Sequence, residues 1–153
     1  MRKKFGISIS ILILCFVGYI IFEQIIGGQK GMDEKYLLPS GFKGCVTIEY
    51  DVKDAAPLTI KDNEIIYKVP KNGIIQTSSP STLGWTNEKT SGSYKINAFY
   101  VDEKGKTIEK LPQEKVRFGG NRTIEEDGKP KVEIFYQIFG TKEDEEKACS
   151  NIK

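Results

Sequence analysis

The sequence predicts a mainly β protein, an antiparallel β-sandwich of the immunoglobulin-like or transthyretin-like kind with one short C-terminal helix, preceded by a single N-terminal transmembrane helix. Three observations predict this fold class. Residues 5–22 form an uncharged apolar run. Short apolar segments then follow one another with turn residues roughly every 8–12 positions, as in sandwiches. An acidic segment after Gly140 has a helix start signal. A partly open barrel is the alternative architecture.

The N-terminal 22 residues have the pattern of a membrane anchor. Residues 1–4 form a basic cap, and residues 5–22 contain no charged amino acid. As a helix this run would extend about 27 Å at about 1.5 Å per residue, close to a hydrocarbon core of about 30 Å. Membrane lipid around residues 5–22 is therefore an expected partner. Because basic flanks stay in the cytoplasm, we expect a single-pass cell-membrane protein with its C-terminal domain outside.

Two other interpretations of the N-terminus stay open. A cleaved signal peptide has an apolar region of about 7–15 residues and ends in a small-residue cleavage site. Here the run ends in the residues IFEQ at positions 21–24. Lipidation would use Cys15, but Leu14 stands where a small residue is expected. An uncleaved anchor fits this segment better than either alternative.

The rest of the chain divides into a linker and one domain. Residues 23–35 are polar and glycine-rich apart from two isoleucines, which predicts a juxtamembrane linker. Residues 36–153 are predicted to form the extracytoplasmic domain, within the size of about 50–200 residues that single domains have. Pro39, Gly41 and Gly44 predict that this domain begins in turns rather than in a strand.

The first predicted strand covers residues 45–52, in which apolar and polar side chains alternate. Residues 64–70 and 73–79 predict two more strands. The Asn72-Gly73 pair lies between them, and because both residues accept positive φ it predicts a β-hairpin at this point.

The second half of the chain predicts three further strands and a helix. Residues 94–101 and 107–112 are strand-like, and residues 118–130 are predicted to be a polar, flexible connection. Residues 131–139 carry apolar side chains on both faces, which is typical of a central or covered strand. Thr141 is a predicted N-cap, because acidic residues at 143–145 follow where the helix dipole favours them.

Charge and composition disfavour several functional classes. The chain has 23 basic and 21 acidic residues and no histidine. Three of the basic residues belong to the N-terminal cap, so the domain lacks the excess of basic charge that a nucleic-acid binder needs. Without histidine, Ser-His-Asp and Cys-His catalysis and most transition-metal sites have no support. No nucleic acid, metal or cofactor is expected.

The expected role is therefore binding, without enzymatic activity and without catalytic residues. The enzymatic alternative is an envelope hydrolase that uses a carboxylate pair or a serine with a lysine, for example Ser78 or Ser79. The acidic residues lie mainly in predicted turns and at the C-terminal helix, where a solvated surface explains them. A further alternative is a structural accessory subunit of an envelope complex.

Two aromatic residues are the candidate contacts for a protein or glycan partner in the cell envelope. Trp85, the single tryptophan, lies in the predicted loop over residues 80–93. It could anchor a partner, as exposed tryptophans often do, or fold back to cover the core. Tyr100 follows Phe99 in a predicted strand, so that the two rings lie on opposite faces and one of them could be exposed.

Cys45 and Cys149 are a candidate disulfide. Cys15 lies in the predicted anchor, which leaves these two cysteines for the exported part. Oxidising compartments outside the cytoplasm allow such a pair to form. A bridge would fix the C-terminal segment across the first predicted strand, but the sequence favours two unpaired thiols over this pairing.

Four sequence segments of the domain form a characteristic ordered set: "YLLPSGFKGCVTIEYDVKDAAPL", "YKVPKNGIIQTSSP", "YVDEKGK" and "FGTKEDEEK". In this order they resemble a domain-of-unknown-function family of small exported, membrane-anchored proteins of Gram-positive bacteria. The resemblance covers residues 36–147 and implies an exported, anchored domain, in agreement with the apolar run. It implies no activity and supplies no catalytic residues.

Overall fold

The computed structural model describes residues 15–18, 29–117, 119–124 and 132–148 of the chain. Residues 15–18 are helical. Within the described ranges, no helix has the length and apolar character needed to cross a bilayer. Most of the predicted anchor at residues 5–22 lies outside those ranges, so the anchor stays a prediction.

The domain consists of nine strands within the described ranges, with one helical turn and one helix near the C-terminus. The elements are β1 (Asp33–Pro39), β2 (Gly44–Glu49), β3 (Thr59–Lys61), β4 (Glu64–Lys68), β5 (Ile74–Gln76), β6 (Ile96–Val101), β7 (Thr107–Lys110), a 3-10 turn (Gln113–Lys115), β8 (Gly120–Ile124), β9 (Val132–Phe139) and α1 (Lys142–Ala148). The prediction of a mainly β domain with a short C-terminal helix is confirmed.

The strands form two mixed sheets. The first has the order β3-β4-β1-β6-β7 and the second the order β5-β2-β9-β8. In the first sheet β1 runs parallel to both of its neighbours, β4 and β6. In the second sheet β2 runs parallel to β5 and antiparallel to β9. The prediction of a purely antiparallel architecture is therefore wrong, because the chain repeatedly crosses between sheets instead of returning beside the preceding strand.

The predicted hairpin at Asn72-Gly73 is also wrong. The strands on either side of it, β4 and β5, belong to different sheets. Gly73 does adopt a positive φ of 74°, but the turn leads from a strand of the first sheet to a strand of the second. The tight hairpin lies one connection earlier, where Asp62 and Asn63 have φ values of 54° and 62° between β3 and β4. Positive φ at both central residues is the requirement of a type I′ turn.

Three strands lie where the sequence predicts none, and one of them, β3, is a short edge strand of the first sheet that pairs with β4. β1 occupies residues assigned to the linker and to the turn-rich start of the domain, and β8 occupies part of the predicted connection at 118–130. β1 is central in the first sheet and hydrogen-bonds on both sides. Long-range pairing of this kind decides the conformation of a segment whose local sequence is ambiguous.

The core lies between the two sheets and is built around three aromatic rings. Tyr36 and Phe139 are fully buried, and Tyr67 is 2% exposed. The ring centroids of Tyr36 and Tyr67 are 4.6 Å apart in a stacked arrangement, and those of Tyr36 and Phe139 are 4.9 Å apart. Because Tyr36 belongs to the first sheet and Phe139 to the second, these contacts join the sheets. In β2, Val46 and Ile48 are buried, as the predicted alternation requires.

Helix α1 begins as the sequence predicts. The Thr141 hydroxyl accepts a hydrogen bond from the Asp144 N–H at 3.3 Å, and the Asp144 carboxylate accepts one from the Thr141 N–H at 2.7 Å. This reciprocal pair is a capping box. The helix contacts β2 and β9, and an ion pair of 2.6 Å joins Arg117 to Glu145. The C-terminal segment is thus held against the second sheet.

Candidate functional site

A cleft of about 460 Å³ opens among elements of both sheets and the loop over residues 80–95. Its wall combines aromatic, aliphatic and charged side chains. The lining residues that matter for its chemistry are Met32, Glu34, Tyr50, Ile65, Tyr67, Leu83, Trp85, Glu88, Tyr94, Arg122 and Glu133. This size and mixture are typical of small-ligand pockets, which usually have volumes of about 300–1,000 Å³.

Glu34 is the partly buried acid of the cleft. It lies on the same face of β1 as Tyr36 and Leu38, both of which are fully buried. The Tyr36 hydroxyl donates a hydrogen bond of 3.1 Å to the Glu34 carboxylate. Burial raises the pKa of Glu34 to about 7, and the hydrogen bond from Tyr36 opposes that rise. The side chain can therefore gain or lose a proton near neutral pH.

Two further tyrosines, Tyr50 and Tyr67, line the same cleft. The hydroxyls of Tyr50 and Tyr67 lie 3.2 Å apart and share a hydrogen bond. Burial raises the pKa of both groups, and the charge of Glu34 raises both further. These tyrosines therefore stay neutral at physiological pH. They offer the cleft ring faces and dipoles but no charge.

Two aromatic side chains that line the cleft are partly exposed to solvent. Trp85 is 38% exposed and Tyr94 is 39% exposed. The loop that carries Trp85 is fixed to the start of the first sheet, since the Met32 N–H donates to the Gly84 carbonyl at 2.9 Å. Gly84 has a φ of 80°, and a Cβ built on it would lie 2.6 Å from Ile65 Cδ1. Only glycine fits this close approach, which places Trp85 at a defined position.

The charged side chains of the cleft are mainly acidic. Glu34, Glu88 and Glu133 contribute carboxylates, and Arg122 contributes a guanidinium group. The Glu133 carboxylate accepts a hydrogen bond of 2.7 Å from the Ser81 hydroxyl. Within the described part of the chain, no group of three or more candidate ligands is arranged to hold a metal ion.

The two aromatic candidates from the sequence occupy different places. Trp85 lines the cleft, whereas Tyr100 does not. The Tyr100 hydroxyl donates a hydrogen bond of 3.0 Å to the Phe42 carbonyl, and its ring packs against the core. Glu34 and Tyr94 also line the cleft, but the sequence analysis did not identify either residue. The alternation of Glu34, Tyr36 and Leu38 is the pattern from which an inward-facing acid could be inferred.

The two serine candidates, Ser78 and Ser79, lie outside the cleft. The Ser79 hydroxyl accepts a hydrogen bond of 2.9 Å from the Leu58 N–H, and Ser79 is 6% exposed. Ser78 is exposed. Neither residue lines the cleft.

The cysteines differ in chemical state. Cys15 is a free thiol, and Cys45 is disulfide-bonded. Cys149 lies outside the described residues, so the pairing of Cys45 with Cys149 stays a prediction.

Comparisons with known proteins identify a family. A crystal structure described as a "Putative Lipoprotein from Bacillus anthracis" is similar to this chain, with a TM-score of 0.59 and 18% sequence identity. The similarity covers 72% of this chain and 71% of that chain, and at this identity it concerns the fold alone. No curated protein gives a significant match. The family of unknown function DUF6843 matches residues 30–151. This match covers most of the sequence, and the chain therefore belongs to the DUF6843 family.

Proposed function

We propose that this protein is a non-enzymatic binding domain at the outer face of the cytoplasmic membrane, and that the cleft beside Trp85 is its binding site. One observation carries the proposal. Two partly exposed aromatic side chains, Trp85 and Tyr94, share a cleft with a partly buried carboxyl group, Glu34. Convergence of apolar rings with a few fixed polar groups is the usual composition of a ligand site.

The fixed position of Trp85 supports its role in binding. Tryptophan contributes strongly to binding energy when its large ring is buried against a partner. The cost of ordering the loop is already met in the free protein, because backbone hydrogen bonds join it to the start of β1. A partner that covers the ring therefore loses less conformational entropy than one that must order a mobile loop.

The hydrogen bonding of Ser79 supports the non-enzymatic part of the proposal. Its hydroxyl already accepts the Leu58 N–H, whereas a nucleophilic serine needs an adjacent base. Two of the three cleft carboxylates also accept hydrogen bonds from neutral donors, Glu34 from Tyr36 and Glu133 from Ser81.

We further propose that the two sheets form a sandwich displayed outside the cell on the anchor predicted at residues 5–22. The core shared by both sheets supports the sandwich. The apolar run supports the anchor, and the description of the Bacillus anthracis protein as a lipoprotein supports an exported, membrane-associated location. Protease added to intact cells should digest the domain, and digestion only after lysis would contradict this topology.

The type of anchor can be tested at Cys15. If residues 5–22 span the membrane, Cys15→Ser leaves the protein in the membrane fraction with its full-length mass. If Cys15 carries a lipid, the same change releases the protein or alters its processing. Val17→Ala is the matched control, because it changes a nearby apolar residue and leaves both the thiol and the residue before it.

The disulfide of Cys45 fits an oxidising location outside the cytoplasm. We expect peptide mapping of protein from the cell envelope, without reduction, to join the peptides that contain Cys45 and Cys149. A free Cys149 thiol in the folded protein would contradict this pairing.

The binding role is tested by crosslinking intact cells and recovering the anchored protein with whatever envelope protein or glycan it holds. We expect Trp85→Ala to abolish specific recovery while the melting temperature stays close to that of the wild type. Ile108→Ala is the matched control, because Ile108 is 58% exposed on β7 and does not line the cleft. Equal recovery with the Trp85 variant and the wild type would contradict the assignment of the cleft.

A further inference from the structure

We propose that the cleft binds an alkylammonium group of the kind that ends a lysine side chain, with the ammonium group at Glu34 and the alkyl chain against the apolar wall. This inference rests on the proposed function, because it takes the cleft to be the binding site and names the chemical class of its ligand.

The first argument is the charge of the cleft. Among the described residues, three carboxylates and one guanidinium group line it. Glu34 lies on the same face of β1 as the fully buried Tyr36, and burial raises its pKa. Two basic residues close to Glu34 in sequence form ion pairs with other acids: Lys35 with Glu64 at 3.3 Å and Lys30 with Asp33 at 3.2 Å. A cationic ligand would supply the opposite charge that an ionised carboxylate requires when it is partly buried.

The second argument is the ring content of the wall. Tyr50, Tyr67, Trp85 and Tyr94 all line the cleft that contains Glu34. The faces of aromatic rings attract cations, and indole does so most strongly. A carboxylate combined with several rings thus favours an organic cation over a neutral or anionic group of the same size.

The third argument is the apolar lining. Met32, Ile65 and Leu83 contribute aliphatic surface to the same cleft. Burying an alkyl chain there gains about 0.8 kcal/mol per methylene, which a bare metal or ammonium ion cannot do. The cleft therefore matches a cationic head on an aliphatic stem.

Proton binding at Glu34 gives the inference a second signature. Burial raises the pKa of Glu34 to about 7. Among the described residues, the neutral hydroxyls of Tyr36, Tyr50, Tyr67 and Tyr94 interact with it. An alkylammonium ion keeps its charge throughout this range, as lysine does with a pKa of about 10.4. Affinity should therefore rise as the pH increases from 5.5 to 8 and Glu34 loses its proton.

Fluorescence of Trp85 provides the measurement, because it is the single tryptophan of the chain. The full-length protein in detergent is titrated at pH 8 with n-butylammonium, n-butylguanidinium, n-butanol and butyrate. We expect a saturable change with butylammonium, binding of butanol about tenfold weaker or less, and weaker binding still of butyrate, where tenfold corresponds to about 1.4 kcal/mol. Butylguanidinium should bind less tightly than butylammonium.

Substitution of the acid makes the test specific. Glu34→Gln should weaken butylammonium binding about tenfold or more and remove its pH dependence. Glu103→Gln is the matched control, because Glu103 is an exposed acid that does not line the cleft. Thermal melting of both variants verifies that the fold is retained. If Glu34→Gln proves unstable, Tyr94→Phe is measured instead; it keeps the aromatic ring and should therefore retain butylammonium binding.

Failure of this inference differs from failure of the proposed function. Equal binding of butanol and butylammonium, or tighter binding of the guanidinium probe, would overturn the ligand class and leave the cleft as a binding site. The same holds if no probe binds while Trp85→Ala still abolishes partner recovery. Butylammonium binding without any effect of Trp85→Ala on recovery would support the ligand chemistry and contradict the proposed partner site.

Discussion

The charged side chains on the two faces of strand β1 have different environments. On the outer face Lys35 pairs with Glu64 at 3.3 Å and lies 5.1 Å from the centroid of the Phe99 ring. On the inner face Glu34 accepts a hydrogen bond from a neutral tyrosine hydroxyl. Adjacent residues of one strand thus differ: Lys35 forms an ion pair on one side, whereas Glu34 on the other side forms none with the described residues.

Under the proposed function, this difference assigns ligand binding to the inner face. Outer-face pairs keep a sheet soluble and add little stability. A carboxyl group on the inner face lowers stability whenever it ionises. A protein that retains such a group beside a cleft has a place where a ligand can bind and offset that cost.

The largest loss of stability is expected from a substitution on the inner face of β1. Tyr36→Ala removes a fully buried ring that contacts Tyr67 and Phe139. Loss of a core aromatic typically lowers the free energy of unfolding by about 3–5 kcal/mol. Urea denaturation measures this loss, and Lys35→Ala on the outer face should lose about 1 kcal/mol or less. Similar losses for the two variants would contradict the contrast between the faces.

The next effect is the pH dependence that Glu34 imposes. Burial raises its pKa from 4.5 to about 7, so between these pH values the folded protein holds a proton that the unfolded chain releases. Stability from this group is complete below pH 4.5 and is lost as the pH rises to 7, by about 3 kcal/mol at about 1.4 kcal/mol per pKa unit.

Glu34→Gln should remove this loss. The free energy of unfolding of the wild type relative to this variant should fall between pH 4.5 and 8 and then level off. The absence of histidine keeps other side chains from titrating in the upper part of that range. Parallel stability curves for the two proteins would show that Glu34 titrates normally.

A smaller effect is expected from the hydroxyl that holds Glu34. Tyr36→Phe keeps the ring and removes the hydrogen bond that opposes the rise in the pKa of Glu34. The pKa should therefore move further upward, with a stability loss of about 1 kcal/mol. Carbon NMR of the glutamate carboxyl groups follows this titration, with Glu34→Gln to assign the signal. An unchanged or lower pKa would mean that Tyr36 does not stabilise the carboxylate.

The smallest effect is expected on the outer face. A double-mutant cycle of Lys35→Met and Glu64→Gln should give a coupling energy of about 0.2–1 kcal/mol that decreases when salt is added. A coupling above 2 kcal/mol that resists salt would place this pair in a more buried environment than its exposed fractions of 32% and 26% indicate.

The sequence was most informative where local patterns decide the structure. The alternation in β2 and the capping of α1 by Thr141 followed from side chains within a few positions of each other. It failed at β1, because "DEKYLLP" carries charges and a proline, and its strand conformation depends on pairing with β4 and β6, which lie far along the chain. The Asn72-Gly73 pair predicted a turn correctly. It did not predict how the flanking strands pair, because β4 and β5 belong to different sheets.

The candidate site shows the same division. Trp85 was identifiable as the one tryptophan of a loop, but whether it covers the core or opens to solvent depended on the packing of Gly84 against Ile65. Glu34 lay in a segment whose composition predicts a linker. Only the structure brings it together with Tyr50, Tyr67 and Tyr94 in one cleft.

The sequence by itself determined that this chain combines an apolar N-terminal run with a β-rich domain that ends in a capped helix, and that histidine chemistry is absent. These features depend on composition and on short-range periodicity. The tertiary structure decided which strands are neighbours, that both sheets are mixed, and that an acid of β1 faces a ring-lined cleft. Those outcomes depend on backbone pairing and packing between distant segments, which local side-chain patterns do not encode.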